Sequence, residues 1–339
     1  MTTRPIEIVG GGLAGLALGT ALSRAGVAVT VFEAGDYPRH RVCGEFITGL
    51  TASTVARLGL TPILADALRH REVAWFLRDA HVRIQRLPSP ALGLSRFVLD
   101  ARLAAAFQES GGSLQTHTRV TDPVASAGRI FATGRRRSRS AWLGLKIHAR
   151  NLALTRDLEL HLGQQAYVGL TRVEDGMANI CGLFHRHELC SRGSDLLLGY
   201  LQAAGLTTVA DRIAVADLDA DSFCAVAAVG FDRRVPTSDR VQLGDACAMI
   251  PPFTGNGMAM AFQSAEAVLD PLLAYARGEA TWRTTCLACD RALRRRFRLR
   301  LASAAILHPY LLQPGGQRWL SRLSRARLLP LRPLYALLH

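Results

Sequence analysis

Three glycines, Gly10, Gly12 and Gly15, follow a short apolar run at residues 6–9 and open a stretch of small and apolar residues. That spacing suits the pyrophosphate of a dinucleotide. Gly10 permits a tight turn, Gly12 lets backbone approach the phosphates, and Gly15 lets helix and strand pack closely. Leu13 and Ala14 belong to the same turn, where free N–H groups and the helix dipole favour an anion. Glu33 comes 18 residues after Gly15 and closes a second apolar run, with Ala34 beyond it. An acid there accepts hydrogen bonds from a ribose.

A second constellation lies far along the chain. Gly244 and Asp245 end an apolar run, and an aspartate at a strand end can hold sugar-like hydroxyls. Pro251 and Pro252 precede Gly255, Asn256, Gly257 and Met258, which open a long apolar helix. Its N–H groups point at something electron-rich; for a flavin that is the N1/O2 edge, where negative charge gathers on reduction. Cys43 and Glu45 flank Gly44. Cys43 is either a thiolate or proton donor beside the ring, or a buried inert cysteine. Glu45 is either a general acid or base, or a helix cap or partner of an arginine. No metal site is expected. Cys286 and Cys289 form a lone CxxC in an Arg-rich helical stretch, and His185 and His187 lack a third ligand. The seven cysteines are scattered and odd in number, unlike a disulfide framework.

These residues need a strand, a glycine turn, a helix over residues 16–25 ended by Gly26, and a buried parallel strand over 27–32. Further helices are expected over 51–58, 194–204 and 257–273. Strands are expected over 73–77, 82–87, 113–120, 129–132 and 241–243. Residues 96–108 read as a strand end running into a helix, 143–229 as mainly strands with one helix, and the remainder as helical. Dinucleotide-binding segments at both ends enclose strand-rich ones. The expected fold is therefore α/β: a discontinuous Rossmann-like domain (1–70, 93–140, 235–280), an inserted sheet-rich substrate domain (71–92, 141–234) and a C-terminal helical segment (281–339).

Composition sets limits. Apolar residues make up 49% and charged residues 20% of the 339, an ordinary globular balance. No apolar run approaches the ~20 residues of a membrane span. The first five residues lead straight into a strand, leaving no room for a signal peptide, so a cytoplasmic site is expected. The net charge of +14 is almost all arginine, with Lys146 the single lysine. Arginines crowd residues 291–300 and recur at 318, 322, 325, 327 and 332. They form either a solvated helical cover or a peripheral contact with an anionic membrane. Nucleic acid is not expected, because no recognition module accompanies the charge.

The stretches 9–15, 31–33, 243–246 and 251–257 resemble the flavoprotein superfamily of p-hydroxybenzoate hydroxylase. Residues 39–45, a basic loop ending Cys-Gly-Glu, and 95–103, an arginine followed by Asp100, are similar to its geranylgeranyl reductase branch. The resemblance implies FAD. Gly10, Gly12 and Gly15 would hold the pyrophosphate, Glu33 the adenosine ribose, and Asp245 the ribityl chain. Gly255, Asn256 and Gly257 would face the ring. Arg41 and Arg96 would lie near the phosphates, or else be surface charges. Thr133 stands where the hydroxylases carry the acid of an Asp-Gly motif, and residues 167–170 lack the tryptophan and Phe-Pro of the prenyl reductases. NAD(P)H is expected as a transient reductant, since no second nucleotide fingerprint is present.

The first functional expectation is an NAD(P)H-using monooxygenase, hydroxylating an apolar phenolic, polyketide or isoprenoid-type substrate with Pro252 shaping the oxygen pocket. The second is a flavin-dependent reductase of C=C bonds. A third, of another class, is a membrane- or partner-docking flavin protein with little catalysis.

Overall fold

The computed structural model describes residues 3–121, 124–135, 138–187, 191–231, 240–252, 255–326, 328, 333, 335 and 337. Two sheets organise them. The first has five strands in the order β13 (Val241–Gln242), β7 (Arg129–Phe131), β1 (Ile6–Val9), β2 (Val29–Phe32) and β6 (Ser113–Gln115). Every neighbouring pair is parallel. Such strands are covered on both faces, which is why they read as unbroken apolar runs. The helices α1 (Leu13–Arg24), α2 (Ala52–Arg57), α3 (Arg96–Glu109) and α6 (Gly257–Ala276) pack here in the largest core, with Leu16, Leu99, Phe107 and Phe262 fully buried.

The second sheet has eight strands in the order β12 (Asp217–Val226), β8 (Trp142–Arg150), β11 (Ala178–His185), β10 (Ala166–Arg172), β9 (Leu158–Gly163), β4 (Leu68–Leu77), β5 (Ala80–Gly93) and β3 (Phe46–Ile47). Its pairing is antiparallel except for β4 with β9. Alternation along β8 gives the sheet two characters. Leu145, Ile147 and Ala149 face a core beneath α4 (Gly193–Ala203) and α5 (Thr207–Ala214). Gly144, Lys146 and His148 face the other way, toward the first sheet.

The C-terminal helices join the two halves. The first part of α7 (Trp282–Leu312) buries Cys286, Cys289, Leu293 and Phe297 in the Rossmann core. Its last turns place Leu311 and Leu312 on the second sheet, where α8 (Pro314–Arg325) follows. Cys286 and Cys289 are thus core residues; burial pushes Cys289 up to about 12. No cluster of His, Cys, Asp and Glu among the described residues is arranged to hold a metal.

Several boundaries differ from the sequence reading. Residues 96–109 are helical throughout, because Ser95 caps the helix by accepting the Val98 N–H at 3.1 Å. β6 stops at Gln115, and β4 and β5 run longer than expected. A second helix, α5, stands within 143–229, where only one was expected. Its β-branched residues read as strand, but Val209, Ala210 and Ile213 share a buried helical face. Asp79, in the β4–β5 turn, accepts from Thr208 N–H at 3.1 Å and Thr207 Oγ1 at 2.7 Å, holding the helix start.

Candidate active site at the junction of the two sheets

The carboxyl ends of the parallel strands open on one edge, where α/β folds bind ligands. Gly10 follows β1 with φ of 111°, and a Cβ there would lie 2.3 Å from the Ala132 carbonyl oxygen. A Cβ at Gly15 would lie 2.0 Å from the Gly10 oxygen, so helix and turn touch through backbone alone. At Gly12 a Cβ would meet nothing within 4 Å. Open space thus lies before the N-terminus of α1. Leu13, Ala14 and Met258 turn their side chains into the core, leaving only backbone for a ligand, and Ala34 is exposed.

Glu33 ends β2 and is held tightly. Its Oε2 accepts the Gly11 N–H at 2.8 Å, and its Oε1 accepts the Gly35 N–H at 2.9 Å and Arg39 Nη2 at 2.5 Å. Burial alone would raise its pKa, but those N–H groups and Arg39 outweigh it, and the carboxyl lies below its ordinary value. Tyr37 donates its hydroxyl to the Gly11 oxygen. Beside it lies a cleft of about 350 Å³ lined by Asp36, Tyr37, Leu114, Thr116 and the α3 residues Ala104 and Gln108.

Arg41 and Arg96 converge on one carboxylate. Arg41 Nε lies 2.9 Å from Asp100 Oδ2, and Arg96 donates to both oxygens at 2.7 and 2.8 Å. Asp100 is fully buried, so the pair is a fixed unit and neither arginine is a loose surface charge. Arg96 and Arg135 also act on Asp245, whose pKa is raised by burial and only partly lowered by these cations. At the start of α6, Asn256 is fully buried, and Thr48 Oγ1 donates to its Oδ1 at 3.0 Å. Phe46 packs against Gly255 so closely that a Cβ there would lie 2.1 Å from the ring. Pro252 is exposed and accepts the Gly255 N–H at 3.0 Å; Phe253 and Thr254 lie outside the described residues.

These residues fit an FAD. The open helix start suits a pyrophosphate, Glu33 lies just past the next strand end, and Asp245 is a half-buried acid that gains from hydroxyl donors. The start of α6 and Phe46 border the space beyond.

Glu45, fully buried, sits just before Phe46 at φ 55°, a strained conformation for a residue with a side chain. His148 Nε2 lies 2.5 Å from its Oε2, and the Arg96 N–H donates to its Oε1 at 3.0 Å. Lys146 Nζ lies 3.6 Å from Oε1 and 3.0 Å from His40 Nδ1. Glu45 is therefore both a cap on α3 and the centre of a buried acid–base group. Cys43 adjoins it: its carbonyl accepts from Asn179 Nδ2 at 2.9 Å. Burial pushes the Cys43 thiol up, and Arg96 beside it only partly offsets this. That direction favours the thiol, the form able to donate a proton, over the thiolate.

Lys146, His148 and His40 were not singled out from the sequence, although a signal existed. Lys146 is the one lysine in the chain, and its i+2 spacing to His148 on a strand puts both on one face. His185 and His187 lie at the far end of β11, where His187 Nδ1 contacts the His185 carbonyl.

The same sheet face becomes apolar away from Glu45. Leu160, Leu162, Tyr167 and Leu183 form a cluster with Phe46, Trp75, Trp142 and Phe231, roofed by Leu311, Leu312 and Leu320. His308 of α7 faces Phe231 with ring centroids 4.9 Å apart, and burial pushes it down to about 4. A buried polar group at Glu45 and an apolar cluster under α7 thus lie on the same side of the second sheet, with Phe46 between them and close against Gly255 at the start of α6.

The profile of an NAD(P)-binding Rossmann-like domain matches residues 8–58. A menaquinone reductase of Mycolicibacterium smegmatis is 30% identical over 138 residues, 39% of this chain and 34% of that protein. The match thus spans about a third of the relative's length. Among solved structures, p-nitrophenol 4-monooxygenase from Pseudomonas putida superposes with a TM-score of 0.77 at 14% identity, covering 99% of this chain and 97% of that one. A geranylgeranyl bacteriochlorophyll reductase-like protein from Thermoplasma acidophilum gives 0.73 at 15%, covering 96% and 92%.

The chain has the fold of the FAD-dependent oxidoreductases, a Rossmann-type dinucleotide unit with a sheet laid across its ligand edge. Within that fold, its sequence is similar to that of menaquinone reductases over part of its length.

Proposed function

We propose that this chain is an FAD-dependent reductase of an apolar, ring- or polyene-bearing substrate, with NAD(P)H as transient reductant. One observation carries the reading: the buried Glu45–His148–Lys146 group lies next to Phe46, which joins the start of α6 to the apolar cluster of the second sheet. Gly10, Gly12, Gly15 and Glu33 would hold the adenosine diphosphate half, Asp245 the ribityl hydroxyls, and the backbone of 255–257 the ring edge. When bound and reduced, FAD supplies a hydride. Glu45 and His148, hydrogen-bonded to each other, would pass a proton to the carbon or oxygen that does not receive the hydride, and Lys146 and His40 extend the group. The apolar walls exclude water from the transfer. The named activity of the sequence relatives supports reduction.

A second reading, hydroxylation, rests on the closed apolar body under α7 and on the near-complete superposition with p-nitrophenol 4-monooxygenase. The two part on oxygen. Reduced protein mixed anaerobically with a short-chain menaquinone or a polyprenyl compound should yield a product two hydrogens heavier by mass spectrometry. A product that forms only with O2 and carries one oxygen atom from it would replace the reductase reading with the hydroxylase. Glu45→Gln should slow turnover by about 10²–10⁴-fold while leaving flavin content unchanged.

A further inference from the structure

The outer side of the α7–α8 hairpin has a composition that its inner side does not require. Residues 291–339 hold eleven arginines and no aspartate or glutamate. Six of the eleven exposed large apolar side chains among the described residues lie in that segment, including Leu299, Ile306, Tyr310 and Trp319. Tyr310 and Trp319 are 50% and 57% exposed, and their rings stand 6.5 Å apart, so the outer faces of the two helices form one surface. Arg318, Arg322 and Arg325 are exposed along α8 beside Trp319. The hairpin is firmly seated: Gln317, 2% exposed, donates to the Gly163 and Leu311 carbonyls at 2.6 and 2.7 Å.

Arg294 and Arg296 pair with Asp290 and Glu266, but the segment itself carries no acid, and exposed aromatic and aliphatic side chains among such arginines are what an interfacial helix presents to an anionic bilayer. The inward side chains of the same hairpin, Leu311, Leu312 and Leu320, cover the apolar cluster of the second sheet. No helix among the described residues is long and apolar enough to cross a membrane. We infer that the α7–α8 hairpin is a membrane-surface docking site for anionic lipid, resting Tyr310 and Trp319 in the interface. This rests on and deepens the reading of an apolar substrate, because the bilayer that stores such a compound then lies against the hairpin that covers the apolar cluster. Charge favours lipid over a second copy of this chain, since two such faces repel.

Full-length protein should co-sediment with vesicles containing roughly a third phosphatidylglycerol and not with pure phosphatidylcholine. Binding should weaken steeply with salt. The emission of Trp319, isolated by subtracting Trp319→Phe, should shift to the blue on the anionic vesicles. Arg318→Glu with Arg322→Glu and Arg325→Glu should weaken binding by about 100-fold, at some fivefold per arginine. The same triple variant should keep its flavin and its turnover of a water-soluble substrate. Equal binding by wild type and triple variant would overturn the inference. So would duplex DNA binding without any Trp319 shift on vesicles, or self-association through this face in sedimentation. Wild-type protein that binds the vesicles as expected but reduces no quinone or polyprenyl substrate would instead count against the reductase reading alone.

Discussion

Gly10 and Gly12 lie two positions apart and obey different constraints. At Gly10 the obstacle is the protein itself, through a positive φ and the Ala132 carbonyl. At Gly12 the protein leaves open space, so the need for glycine must come from what fills it. The substitutions should therefore separate. Gly10→Val should destabilise the fold by at least ~3 kcal/mol, read as insoluble or early-melting protein. Gly12→Val should give folded protein, by circular dichroism and melting, that has lost FAD. Equal behaviour of the two would mean that the open space before α1 is not the phosphate site. Both glycines are legible in the sequence because their spacing is local. The Glu45 group is not, because His148 and Lys146 lie some hundred residues from it and meet it only when the second sheet lies across the first.

At the scale of elements, the side of the second sheet away from the site carries its own buried charge. Glu159 on β9 accepts from His161 Nε2 at 2.8 Å, from Arg212 Nη1 of α5 at 3.1 Å and from the Thr155 N–H. Burial pushes the carboxyl up, yet His161, Arg212 and Thr155 outweigh it and bring it down to about 2. A lowered carboxyl stabilises the fold above its unfolded value, and that contribution is lost as pH falls through about 2. Glu159→Gln should therefore cost about 3 kcal/mol at pH near 7 and much less near pH 2–3. Melting temperatures of the two proteins at both pH values check this; a gap that does not narrow in acid would show that Glu159 acts by packing alone. The pinning of α5 by Asp79 and Arg212 also explains why that helix was hidden in sequence. Its partners are tertiary, and its β-branched residues favour strand locally.

For the molecule as a whole, the parallel strands, the glycine turn and the long helix after Gly257 were readable because each is a local pattern with one period. The path of the C-terminal segment was not. Its first part enters the Rossmann core and its last turns roof the other sheet, a division that amphipathic periodicity alone leaves open. The sequence reading put hydroxylation first from resemblance to the superfamily. We propose reduction first, on the Glu45 group and the partial match to menaquinone reductases, with the same cofactor expected in either case.

The most direct test is the flavin content of wild type and Asp245→Ala. The wild type should purify yellow, or take up FAD on reconstitution, with about one FAD per chain by absorbance near 450 nm. Asp245→Ala should be folded and colourless. A wild type that takes up no FAD, or an Asp245→Ala protein with full occupancy, would contradict the account.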